Sequence, residues 1–151
     1  MFFCLVKLVL EAIERHADQL AEPLAAELLA RRKAAAVRAR RPGSLVLGAD
    51  TVVLLDGAIL EKPVDEGDAV RLLGLLSGRT HTVISAIALV GGPAGFGLAV
   101  HERTEVDFLP LSRAWIERYV ATGEPMDKAG AYGIQGYGAL MVAGVRVCYF
   151  N

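Results

Sequence analysis

An aspartate beside a threonine, two lysines and a glutamine are the side chains in this sequence whose types and neighbours suit chemistry. Gly48-Ala49-Asp50-Thr51 sets a carboxylate and a hydroxyl between two apolar, strand-like runs. A carboxylate directly after a buried strand lies at the strand's carboxyl end, where α/β sheets commonly hold ligands. There it can accept a proton or hold a cation. An aspartate in a turn that only bonds its own backbone would look the same. Lys62, between Glu61 and Pro63, leaves a strand and is either a solvated cation or an anion contact. Asp127-Lys128 precedes Gly130, Gly133 and Gln135. Loop glycines expose backbone N–H groups, and with an ammonium they can cradle a phosphate. A glycine-rich surface loop without a ligand fits the same residues.

The elements that must position these groups follow from periodicity and punctuation. Glu11 to Arg41 is rich in Ala, Leu, Glu and Arg and reads as helical, with Leu20, Leu24, Leu28 and Leu29 at helical spacing and a second helix starting at Pro23. Arg31, Arg32, Lys33, Arg38, Arg40 and Arg41 make its far end basic, which suits a helix C-terminus. Pro42-Gly43 ends it. Leu45–Leu47 and Thr51–Leu55 read as strands, and Asp56-Gly57 as a hairpin turn returning through Ala58–Leu60. Asp65 caps a helix through Leu76 whose apolar face is Ala69, Leu72, Leu73 and Leu76, with Ser77-Gly78 as its stop. His81–Val90 is a buried strand, and Gly91–Gly95 a turn. Leu98–Phe108 alternates with Val100, Thr104, Val106 and Phe108 on one face. Ser112 caps a helix through Val120 with Trp115, Ile116 and Tyr119 inward, and Gly123 ends it. Glu124–Gly138 is a glycine-rich loop, after which Ala139–Val142 and Val145–Phe150 form a hairpin. Intermixed helices and hairpins make this an α/β chain with a mixed β-sheet flanked by helices.

Composition narrows the function classes. At 151 residues, with 54% hydrophobic and 22% charged, the chain fits one domain with a sizeable core. A net charge of −1 gives no electrostatic footprint for long nucleic acid. A small phosphate ligand needs only a local cation cluster. Cys4 and Cys148 form no CxxC pair and read as buried small hydrophobes, not zinc ligands or a disulfide. Met1–Leu10 is apolar but far short of the roughly 18 to 20 residues of a membrane helix. It lacks a basic leader and a cleavage site, so a cytoplasmic protein is expected. His81 and His101 read as surface or hydrogen-bonded structural histidines, Trp115 as core, and Glu102-Arg103 as a solvated face.

Taken in order, the motifs resemble those of the Maf family of nucleoside triphosphate pyrophosphatases. They are Gly48-Ala-Asp-Thr-Val-Val53, Ile59-Leu-Glu-Lys-Pro63, Leu76-Ser-Gly78 with His81 and Val83, Thr104-Glu-Val106 with Phe108, and Gly123-Glu-Pro-Met-Asp-Lys-Ala-Gly-Ala-Tyr-Gly-Ile-Gln-Gly136. The resemblance runs from about Leu28 to Asn151, so residues 28–151 are expected to form the Maf-like domain and 1–27 an atypical helical segment. Asp-Lys-Ala-Gly-Ala-Tyr-Gly-Ile-Gln looks like the branch acting on dTTP and UTP. Leu29-Ala-Arg-Arg-Lys33-Ala34 resembles the family's Lys-Ala helix.

The resemblance implies a Maf/ITPase-like architecture and hydrolysis of dTTP, UTP and modified pyrimidine nucleotides to the monophosphate and pyrophosphate. It implies a divalent cation (Mg²⁺ or Mn²⁺) and a homodimer. Asp50 matches the proton acceptor, and Lys62 and Lys128 match catalytic cations. Thr51 and Gln135 match base-selecting positions, and Lys33 a phosphate-site lysine. An amide such as Gln135 can pair with a pyrimidine's carbonyl and N–H edge. The pattern departs in three places. Met1–Leu20 holds nothing like the family's Ser-x-Ser-Pro-Arg-Arg segment, the family's last turn and helix are not seen after Asn151, and Ser85-Ala86 stands where Thr-Gly is common. On that ground the chain is expected to be truncated at both ends, and a Maf-like domain that binds nucleotide or a partner without turnover is the alternative. A purine-preferring pyrophosphatase would share the chemistry but not the terminal loop block.

Overall fold

The computed structural model describes residues 23–91 and 96–147. The helical stretch expected before Pro23, the apolar start, the turn over 92–95, and Cys4 and Cys148 lie outside these residues. Helix α1 covers 23–40 of them. Strand β1 (Val46–Leu55), β2 (Ala58–Leu60), helix α2 (Glu66–Leu76), β3 (Thr80–Gly91), β4 (Phe96–Phe108), helix α3 (Arg113–Val120) and β5 (Val142–Arg146) follow. Three short 3₁₀ turns, Glu124–Asp127, Ala129–Ala131 and Tyr137–Met141, fill the interval between α3 and β5. The strands form one sheet in the order β2-β1-β3-β4-β5. The α/β arrangement is as expected, but the sheet expected to be mixed is antiparallel. β2 returns from β1 through the Asp56-Gly57 turn and β5 runs back against β4, while the link carrying α2 takes the chain from β2 past β1 to β3 on its other side.

Two compact units divide the chain: Met1–Asp50 with Ala86–His101, and Thr51–Ser85 with Glu102–Asn151. β1, β3 and β4 each contribute residues to both.

In the first unit, α1 does not bury its leucines. Leu24, Leu28 and Leu29 are exposed, and the buried ridge is Ala26, Ala30 and Ala34. Those alanines recur every four residues and so share one face. Gly48 of β1 meets that ridge so closely that a Cβ on it would lie 2.8 Å from the Ala34 nitrogen. Small residues on both elements set the distance between helix and strand. They also make residues 46–55 one strand instead of two strands around a turn, because Gly48 serves close approach and not chain reversal.

The second unit holds the larger core, in which Val53, Leu60, Leu72, Leu73, Leu76, Phe108, Ile116, Tyr119 and Met141 are buried. β1 and β2 pair with Val53 opposite Leu60 and Leu55 opposite Ala58. Asp56 and Gly57 both take positive φ (52° and 78°), the conformation a two-residue hairpin requires. Helix α2 begins where Asp65 accepts from the Asp68 N–H at 2.7 Å, while Asp68 reaches back to the Val64 N–H. Its buried face is Ala69, Leu72, Leu73 and Leu76, as the spacing foretells. Ser112 caps α3. Ile116 and Tyr119 are buried, whereas Trp115 lies half-buried at the core's margin, stacked on Tyr119. Thr104, Val106 and Phe108 face inward as expected; Val100 is exposed. The hairpin expected from Ala139 onward does not form. Tyr137–Met141 is a 3₁₀ turn, and β5 pairs with β4, placing Glu105 opposite Arg146 and Val106 opposite Val145.

Candidate active site

The close contact of α1 with β1 brings two site residues of the first unit together. Asp50 lies two residues after Gly48, so both project from the same face of the strand. Lys33 lies next to Ala34 on the helix that Gly48 touches. Its Nζ donates to Oδ1 of Asp50 and, at 3.3 Å, to the carbonyl of Ala49. The Asp50 side chain is 12% exposed and that of Lys33 59%. Asp50 is thus not a turn residue bonded to its own backbone. It is a mostly covered carboxylate in mid-strand, paired among the described residues with a lysine. Nearby in the same unit, Arg38 donates to the carbonyl of Ser44 at 2.6 Å and fixes the exit of the helix. His101 meets Glu27 at 2.7 Å, a surface pairing of the structural kind expected.

In the second unit the structure places the remaining residues. The Thr51 and Ser85 hydroxyls lie 3.2 Å apart, within hydrogen-bond distance. Lys128 pairs with Asp127, and Asp127 also feels Lys62. The hydrogen bond and charge of Lys128, with the weaker attraction of Lys62, hold the Asp127 carboxyl below the usual carboxylate range. Lys62 is exposed and Lys128 half-buried. The loop is anchored beneath them. Gly130 donates its N–H to the Glu61 carbonyl at 3.1 Å and adopts φ +66° against Val53, where a Cβ would come within 3.0 Å of a methyl. Ala131 follows in the left-handed region as well, fully buried. Such backbone persists only where the surroundings enforce it. Gln135 is exposed at the outer end of this loop.

Sequence reasoning missed Glu124. Its carboxylate accepts from the Tyr119 hydroxyl at 2.9 Å, from the Tyr137 N–H at 2.9 Å and from the Gly138 N–H at 3.1 Å. Burial opposes its ionisation, but the bonds from Tyr137, Gly138 and Tyr119 outweigh that and hold its carboxyl below the ordinary value. Burial, then Glu124, push the Tyr119 hydroxyl above its usual range. The signal that could have found Glu124 is its place directly after a left-handed glycine and ahead of Gly133 and Gly136. No local spacing reveals partners 13 and 14 residues away.

His81, one of the expected structural histidines, is buried with 3% of its surface exposed. Its Nε2 meets the Tyr132 hydroxyl at 2.6 Å, and its ring packs edge-on against Phe108 and Tyr132. Burial pushes its pKa down to about 4, against a smaller upward pull from Asp107.

Among the described residues, no three His, Cys, Asp or Glu side chains gather into a cage for a cation. Asp50 would offer a hard carboxylate oxygen to a divalent cation that is otherwise held by phosphate oxygens and water. The residues present therefore fit a cation that arrives with a phosphate ligand, not one caged by protein.

Comparison with known proteins bears on what this arrangement is. Over residues 3–151 the chain matches the family described as "Maf-like protein". It is 54% identical over 136 residues to a dTTP/UTP pyrophosphatase of Symbiobacterium thermophilum, an alignment covering 90% of this chain and 68% of that one. It is 52% identical over 141 residues to the dTTP/UTP pyrophosphatase of Moorella thermoacetica, covering 93% and 71%. A dTTP/UTP pyrophosphatase of Pectobacterium atrosepticum is 51% identical over 123 residues, 81% and 61% of the two chains. The match reaches ahead of Leu28, where the motifs begin, and includes every residue assigned a role above. With identity at this level across most of its length, the chain belongs to the Maf family.

Proposed function

We propose that this protein is a nucleoside triphosphate pyrophosphatase acting on dTTP and UTP, releasing the nucleoside monophosphate and pyrophosphate. The observation that carries the reading is the covered Asp50 carboxylate held by Lys33, in a chain about half identical to enzymes of that name. Asp50 accepts the proton of the attacking water, or holds a divalent cation, Mg²⁺ or Mn²⁺. When bound, such a cation neutralises phosphate charge. Lys33 orients the carboxylate, and its exposed ammonium can contact a phosphate oxygen. Lys62 and Lys128 neutralise charge that grows on the phosphates as the anhydride breaks. Asp127 lies within the influence of both cations. Thr51 and Gln135 select the base, Gln135 through its amide.

The homodimer that the resemblance implies, and the cytoplasmic location expected from the sequence, belong to the same reading. The described residues include no helix long and apolar enough to cross a membrane.

The bond cleaved distinguishes this reaction from other phosphohydrolase chemistry. Incubating UTP or dTTP with Mg²⁺ should yield UMP or dTMP and pyrophosphate in equal amounts, read by ion-exchange chromatography. Orthophosphate with the nucleoside diphosphate would overturn the assignment. Nucleotide binding without any product would replace it with a binding domain.

A further inference from the structure

Gln135 sits in a short turn whose two stems are tied to one carboxylate. The Gly136 N–H bonds the Gly133 carbonyl at 3.3 Å, closing a four-residue turn with Gln135 third. Before it, the Gly133 N–H donates at 3.3 Å to the Tyr119 hydroxyl, which donates on to Glu124. After it, the Tyr137 and Gly138 N–H groups both end on Glu124. Gly136 lies directly over the carboxylate, where a Cβ would come within 2.5 Å of Oε1. The anchor is itself fixed, because the Glu124 N–H bonds Thr122 Oγ1 and that hydroxyl donates to the Tyr119 carbonyl.

We propose that Glu124 is a positioning residue for base selection, holding the Gly133–Gly136 turn so that Gln135 presents its amide in one orientation. This rests on the reading of Gln135 as the base-selecting residue. All three donors to Glu124 are N–H or O–H groups, so the site requires a pure acceptor. A glutamine there would turn an NH₂ toward at least one donor, and the turn would lose a stem. The role differs from a phosphate role through the neighbouring Lys128, whose stem packs on Gly133. Disturbing Lys128 would weaken every nucleotide alike, whereas disturbing Gln135 would weaken discrimination between bases.

The test compares dissociation constants of α,β-methylene UTP and α,β-methylene CTP, which need no turnover, for the wild type, Glu124→Gln, Tyr119→Phe, Gln135→Ala and the double variant Glu124→Gln/Gln135→Ala. The expected result is a UTP-over-CTP preference reduced about tenfold in Glu124→Gln, less in Tyr119→Phe, and no further in the double variant than in Gln135→Ala alone. Tyr119→Phe keeps its ring in the core and removes one bond, so it remains informative if Glu124→Gln folds poorly. An equal loss for both nucleotides in Glu124→Gln and Tyr119→Phe would overturn the proposal. So would an unchanged preference in those two variants while Gln135→Ala loses it. A preference that survives Gln135→Ala, or is absent in the wild type, would instead remove the reading of Gln135 and this inference with it.

Discussion

Lys33 Nζ rests on Oδ1 of Asp50, joining α1 to the middle of β1 across 17 positions of sequence. The lysine is more than half exposed, so the pair adds little to stability, about 0–1 kcal/mol. Its consequence is chemical: it fixes which way a mostly covered carboxylate faces.

Replacing Lys33 by alanine should therefore separate stability from activity. The melting temperature should fall by no more than about 3 °C. The kcat/KM for UTP should fall roughly 10- to 100-fold, the scale of one lost charge-assisted bond. A thermal shift assay and steady-state pyrophosphate release measure the two. A large fall in melting temperature with unchanged kcat/KM would assign Lys33 to structure.

Gly48 and Gly74 should respond to alanine in opposite senses. A Cβ at Gly48 would lie 2.8 Å from the Ala34 nitrogen and 2.9 Å from its Cβ, both on a packed helix. Gly48→Ala should cost about 1–3 kcal/mol by overpacking and lower the melting temperature by roughly 4–10 °C. It should also impair activity, since α1 carries Lys33. At Gly74, inside α2, a Cβ meets nothing within 4 Å. Gly74→Ala should stabilise by about 0.5–1 kcal/mol through helix propensity alone. Urea titration compares them.

His81 should make the fold sensitive to mild acid. Its pKa is lowered from 6.5 to about 4 by burial, so the unfolded chain binds the proton more tightly than the folded one. Stability from this group is complete above pH 6.5 and is lost as pH falls from there toward 4. Between pH 7.5 and 5 the loss should be roughly 2 kcal/mol. Urea midpoints for the wild type and His81→Gln test it. The variant should be less stable at pH 7.5 yet lose less on acidification; parallel losses would show that other groups govern the acid limb.

The α2 region was legible because its determinants are local. Asp65, Asp68 and the four apolar positions lie within 12 residues and require nothing from elsewhere. The Asp56-Gly57 turn was legible for the same reason. In α1, sequence points to leucines but the structure buries alanines, because the choice is made by Gly48, 14 residues from Ala34, and not by hydrophobicity. The strand expected after Ala139 failed for a related reason. Residues 133–138 take their conformation from Glu124 and Tyr119, so the local run Ala139–Val142 does not decide where β5 begins. At the site, residue types were legible and partners were not. Asp50 read equally as a turn residue until Lys33 was seen beside it, and Lys62 and Lys128 came together only through Asp127. The His81–Tyr132 contact joins residues 51 apart.

The most direct test of the account is pyrophosphate release from dTTP and UTP with Mg²⁺ by the wild type and by Asp50→Asn, which keeps the shape of the side chain and removes its charge. The account predicts turnover by the wild type and a loss of at least about 100-fold in the variant, the lower end of what a positioned proton acceptor contributes. Equal turnover by the two proteins would contradict the role of Asp50, and no turnover by a folded wild type would contradict the assignment of this chain as an enzyme.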